Sequence, residues 1–182
     1  MKPNVSLCLA IISFASVSLG QEEGGLKKKV HRTPVIASSA PVTEAEAFAT
    51  FQRIAGLMKS VAHINVKPTP IHGKPTAPAT KAEIVAELTH FYQAAEPSFT
   101  NTPRRIHVEL GRVIAKSPTL KKQLIFLIGK GFVGNYGPLA TGATTSVTPT
   151  EFGDSLGFFL TQICECTNTS STKWTPYLRT GD

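Results

Sequence analysis

Acidic side chains are scarce in this sequence, and aspartate most of all: only Asp154 and Asp182 occur in 182 residues. Chemistry built on paired aspartates therefore has little to draw on. Cysteine is equally sparse, with Cys8, Cys164 and Cys166 alone, so the chain is not a disulfide-stapled scaffold. On a helix the C-x-C pair would point about 200° apart, and a bridge between the two would be strained. Two small buried thiols, a strained redox pair and an intermolecular bridge all remain open, while a zinc site lacks further ligands. The histidines (His31, His63, His72, His90 and His107) show neither H-x-x-x-H nor H-E-x-x-H spacing. "GKGFVGNYG" follows a helical pattern and leads into loop, the reverse of the strand–loop–helix order of a phosphate cradle. No cofactor or metal is implied. "TPRRIH" alone is too little for a nucleic-acid surface.

Long apolar runs are missing too. The longest, from about Val5 to Val17, is shorter than the roughly 20 residues a membrane helix requires. "LIFLIGKGFV" is interrupted by Gly129, Lys130 and Gly131. With Lys2 before it and the small Ser18 and Gly20 after it, the first run has the layout of a secretory signal peptide over residues 1–20. An uncleaved N-terminal anchor is the other reading. The expectation is an exported protein of the periplasm, cell wall or cell surface, with no transmembrane segment after signal cleavage. The chain carries a net charge of +7, which favours acidic polymers as partners. Apart from Lys27 to Lys29, Arg104–Arg105 and Lys121–Lys122 the charges are dispersed, as on an ordinary solvated surface.

What is present is helical punctuation. After a Gly-, Ser-, Pro- and charge-bearing leader at 21–42, apolar residues recur at helical spacing through Phe51, Ile54 and Met58. This predicts an amphipathic helix from about Glu44 to Ser60. The proline-rich "NVKPTPIHGKPTAPAT" must be a turn-rich connection. A second helix begins at Thr80 and stops before Pro97. Residues 106–114 fit either a strand or a helix, and their position between two helices favours helix. Ser117 can cap a third helix with Pro118 in its first turn and Gly131 as its stop. A short extended piece at Phe132–Val133, a glycine-rich loop and a last helix through about Cys164 complete a domain at 43–167. The polar tail, 168–182, carries Trp174 and Tyr177, which are suited to pack back. The fold class predicted is mainly α, a small helical bundle with long Gly/Pro-rich loops.

Three helix openings agree in detail. Thr43, Thr80 and Thr148 stand three residues before Glu46, Glu83 and Glu151, the spacing of a capping box. One residue after each glutamate come Ala47, Ile84 and Phe152. Five after come Phe51, Leu88 and Leu156, and eight after come Ile54, Phe91 and Phe159. One apolar stripe is thus held in one phase three times. These stretches, "TEAEAFATFQRIA", "TKAEIVAELTHFY" and "TPTEFGDSLGFFL", resemble the T-R-A-E-F-A opening of the second helix in S-layer homology modules. The third copy extends the likeness upstream through "LKKQLIFLIGKGFVGNYGPLATGATTSV". The family's arginine falls at Glu44, Lys81 and Pro149, its first-helix tryptophan is missing, and the copies are unevenly spaced.

The resemblance implies helix pairs that attach exported proteins to the envelope. The partner would be an acidic cell-wall polysaccharide, the surface layer or another envelope protein. Lys81, Arg104, Arg105 and Tyr136 are the candidate ligand contacts. Gly153 and Gly157, four apart on the last helix, predict close approach of another helix backbone, because two interior glycines otherwise only weaken a helix. A non-catalytic role is expected. The rival class is a small exported hydrolase or hydrolase inhibitor, in which His63, His72 or His107 would gather around a buried carboxylate.

Overall fold

A computed structural model describes residues 40–70, 73–170 and 172–174. The signal segment, most of the leader, His31, His72 and Tyr177 lie outside the described residues. The chain is mainly helical: α1 Glu44–Ala62, α2 Lys81–Ala95, α3 Pro118–Gly129, the short α4 Pro138–Thr141 and α5 Pro149–Cys166. No helix among the described residues is long and apolar enough to cross a membrane.

All three capping boxes form. Thr43, Thr80 and Thr148 each accept from the backbone N–H of the glutamate three residues on. Each glutamate accepts in return from the threonine N–H, at 2.9, 2.7 and 2.8 Å. Two of the donors orphaned at each helix start are satisfied this way. The boxes also meet in space. The Val42 N–H donates to the Val147 carbonyl, the Ala79 N–H to the Val42 carbonyl and the Lys81 N–H to the Thr145 carbonyl. The segments entering α1, α2 and α5 are thereby joined pairwise around one vertex. Val42, Ala79 and Val147, each just before its threonine, are all buried there.

Burial follows the shared phase. The nine stripe residues from Ala47 to Phe159 are all buried, and so are Met58, Ala95 and Ile163 one further turn along. Phe51 joins the three helices directly, its ring 5.4 Å from that of Phe91 and 5.7 Å from that of Phe152. α3 packs on α2 through a second cluster, where Phe132 lies 4.8 Å from Tyr92 and 5.4 Å from Phe159. Trp174 is buried and its indole N–H donates to Thr169, so the start of the tail does pack back.

Two local expectations are corrected. Residues 106–114 form no α-helix. Their one regular element is a single 3-10 turn at Leu110–Arg112. Their backbone groups go elsewhere: the Ile106 N–H to the Gly129 carbonyl and the Ile114 N–H to the Ala140 carbonyl. Bonds to the end of α3 and to α4 replace an internal helical ladder, which is why the apolar spacing misleads. Phe132 and Val133 likewise form a turn after α3 rather than an extended piece, with both N–H groups directed to the Leu127 carbonyl.

The glycine expectation fails at Gly157, where a Cβ would meet nothing within 4 Å. Among the described residues no helix backbone approaches it. Gly153 is half-buried on the same helix. The demanding glycine is Gly131, at φ +80°, where a side chain would collide with the Arg104 carbonyl oxygen.

Candidate ligand-binding cleft

The loop between α3 and α4 folds back over the first turns of α5. It encloses a cleft of about 290 Å³ lined by Val133–Leu139, Asp154, Ser155 and Phe158. The loop turns tightly because the Gly137 N–H donates to the Gly134 carbonyl at 3.0 Å, and Pro138 then starts α4. Its wall is fixed from behind by Asn135, whose side chain is buried. The Asn135 amide donates to the His107 carbonyl at 2.8 Å, and its oxygen accepts from the Glu109 N–H at 3.1 Å. Residues 107–109 are thus hooked to the loop.

Glu109 then holds the ring that forms the rim. Its carboxylate accepts from the Tyr136 hydroxyl at 2.7 Å and from Arg112 Nε at 2.5 Å. The Arg112 guanidinium lies 4.7 Å from the Tyr136 ring centroid. The Tyr136 and Arg112 hydrogen bonds lower the Glu109 pKa, and the same contacts raise those of Tyr136 and Arg112. Tyr136 is 66% exposed yet held at its hydroxyl and on one face. Phe158, 40% exposed, is the second aromatic of the cleft. Asp154 is exposed, lines the cleft and has no hydrogen-bond or ion-pair partner among the described residues.

The four candidate contacts do not form one site. Tyr136 belongs to the cleft. Arg104 and Arg105 are exposed just before residues 106–114, and the guanidinium on Tyr136 is that of Arg112. Lys81 has an internal place instead of the surface contact expected. It is 4% exposed, and its ammonium donates to the carbonyls of Ile114 and Gly142. Burial lowers its pKa; the Glu151 carboxylate opposes that shift, while Lys116 adds to it. Lys81 therefore ties the start of α2 to the segment that leads into α3 and to the loop after α4.

Sequence reasoning missed Asp154 and Phe158 in the cleft, and Glu109 and Arg112 that hold Tyr136 at its rim. A signal existed for two of them. Asp154 is one of two aspartates in the chain, and Phe158 is a large aromatic just off the apolar stripe of α5. Glu109 and Arg112 were hidden by the strand-or-helix ambiguity of their segment.

The remaining polar groups are structural. His63 is the left-handed cap of α1 at φ 58°, and both it and His107 are exposed. The buried Glu87 carboxylate accepts from the Thr69 N–H and hydroxyl, with His90 3.7 Å away. Cys164 and Cys166 are free and buried, and burial pushes the Cys164 thiol up to about 11, which leaves it a poor nucleophile. Among the described residues no group of three or more His, Cys, Asp or Glu is placed to hold a metal.

Comparison with protein-family models, curated proteins and solved structures finds no significant match.

Proposed function

We propose that the chain is an exported, non-catalytic protein of the cell envelope, built on diverged helix units like those of S-layer homology modules. Its work is to hold to a wall polysaccharide. The observation that carries this reading is the meeting of three equally capped, equally phased helices at one vertex. An internal triplication closed on itself would leave that pattern. The rigid, aromatic-rimmed cleft beside the third copy supplies a place for a ligand. The exposed Arg104 and Arg105 supply positive charge for acidic groups of the polymer.

The test is retention of the exported protein on purified wall material across a salt series, with N-terminal sequencing of the exported product. Retention at low salt and a mature end near Gln21 are expected. Absence of retention at the lowest salt would sink the wall-binding role. An intact N-terminus on the exported product would sink signal cleavage.

A further inference from the structure

We infer that the neighbourhood of Leu110, Ile114, Tyr136 and Phe158 docks on the surface of an anionic lipid bilayer. The apolar side chains enter the headgroup layer, and the cations around them meet lipid phosphates. The inference does not depend on the wall-polysaccharide reading.

Among the described residues these four are the large hydrophobic side chains left exposed, at 56, 45, 66 and 40%. They gather around α4 and the loop before it. Tyr136 and Phe158 line one cleft, whose walls are almost wholly apolar. Leu110 follows Glu109, which holds the Tyr136 hydroxyl, and the Ile114 N–H donates to the Ala140 carbonyl of α4. Exposed apolar side chains gathered in one place, rather than scattered singly, mark an interaction surface. No helix among the described residues can cross a membrane, so the contact is peripheral.

Charge selects the partner. Between residues 104 and 122 the chain carries six exposed cations, Arg104, Arg105, Arg112, Lys116, Lys121 and Lys122, against the single carboxylate of Glu109. The other described residues carry seven Lys and Arg against eight Asp and Glu. The positive excess of the described chain therefore resides in the stretch that exposes Leu110 and Ile114. Glu109 is itself paired with Arg112. Asp154, on the α5 side of the cleft, bounds the docking face, because a carboxylate is kept on the water side. An apolar protein partner would leave the cations unexplained, and an acidic polymer would leave the hydrophobic side chains unexplained. A bilayer containing anionic lipid asks for both. Tyr136, with an apolar ring and a hydroxyl held at Glu109, suits the boundary between the two layers.

The test is sedimentation of the exported protein with two vesicle types, phosphatidylcholine alone and an equal mixture of phosphatidylcholine and phosphatidylglycerol. Binding to the mixed vesicles is expected, weaker at high salt and absent on phosphatidylcholine alone. Leu110→Ser combined with Ile114→Ser should weaken it about tenfold, from apolar surface no longer buried. Arg104→Gln combined with Arg105→Gln should weaken it about fivefold per cation at low salt. Arg53→Gln combined with Lys59→Gln removes the same charge from exposed positions on α1 and should weaken it distinctly less. A tryptophan introduced by Leu110→Trp should be quenched by brominated lipid, whereas the buried Trp174 of the unaltered protein should not. Unchanged circular dichroism and melting of the variants show that the fold survives. Absence of binding to the mixed vesicles, or equal binding to both types, overturns the proposal. Binding untouched by the apolar pair, or lowered equally by the two charge pairs, overturns the assignment to this face. None of these outcomes bears on retention by wall material, so the two readings fail separately.

Discussion

The openings of α2 and α5 start from the same capping box and diverge within one turn. Counted from their glutamates, Ala86, Glu87 and His90 on α2 correspond to Asp154, Ser155 and Phe158 on α5. On α2 the Glu87 carboxylate reaches out and clasps Thr69, so the preceding connection is stapled over the helix. On α5 the Ser155 hydroxyl turns back to the Glu151 carbonyl at 2.7 Å. The connection before α5 is held instead from its far side by Asn135, and a cleft stays open between loop and helix. At corresponding positions a glutamate closes the surface of α2, whereas a serine on α5 bonds within its own helix and leaves the cleft open.

The largest effect is expected from breaking the closed side. Glu87→Ala removes a buried carboxylate with two hydrogen bonds and should cost about 2–3 kcal/mol in denaturant unfolding. Hydrogen exchange should quicken around Thr69, while the cleft before α5 keeps its protection. Loss of protection on both sides would mean that the two openings are not independent.

Lys81→Met tests the tie between them. The carbonyls of Ile114 and Gly142 lose their donor, at about 1–2 kcal/mol after the relief of burying a charge is set against it. Unlike Glu87→Ala, this change should loosen the segments flanking α5 as well as the start of α2. An unchanged or raised midpoint in urea would show that the buried ammonium contributes nothing.

Gly157→Ala should act in the opposite direction. With open space around the new methyl, better helix propensity should add about 0.5–1 kcal/mol to stability. A lower melting temperature would instead reveal the helix contact that is missing around Gly157.

The smallest effect is a pH dependence at the far end of α2. The Tyr92 hydroxyl, and after it Lys130, lower the Glu96 pKa below 4.5. The charged, hydrogen-bonded carboxylate thus stabilises the fold above pH 4.5, and the contribution is lost as pH falls through the lowered value. Glu96 is half-exposed, so the gain is small. The melting difference between the wild type and Glu96→Gln should shrink on acidification from pH 7 to pH 3.

Much of the helical frame was legible in the sequence because it is written in short-range chemistry. Thr43–Glu46, Thr80–Glu83 and Thr148–Glu151 are neighbours in the chain, and a cap needs nothing else. The apolar stripes are local as well. The cleft was legible at Tyr136 and, through a rare aspartate and an aromatic off the stripe, at Asp154 and Phe158, while the groups that fix its wall meet through long-range contacts. Asn135 reaches back to His107 and Glu109, and no periodicity announces such a hook. Lys81 misled for a related reason. Sequence sees a cation at the start of a helix, whereas its two carbonyl partners, Ile114 and Gly142, lie far along the chain.

The vertex has a further consequence, for cooperativity. Helical units stacked in a line can fray from either end, since each depends only on its neighbours. Here the segment entering the first capped helix bonds directly to the one entering the last, across more than half the chain. A ring of three has no terminal unit to peel away, because each entering segment is bonded to the other two. The described domain is therefore expected to melt in a single transition, and its last-formed bonds should be those that close the widest loop, Val42 to Val147.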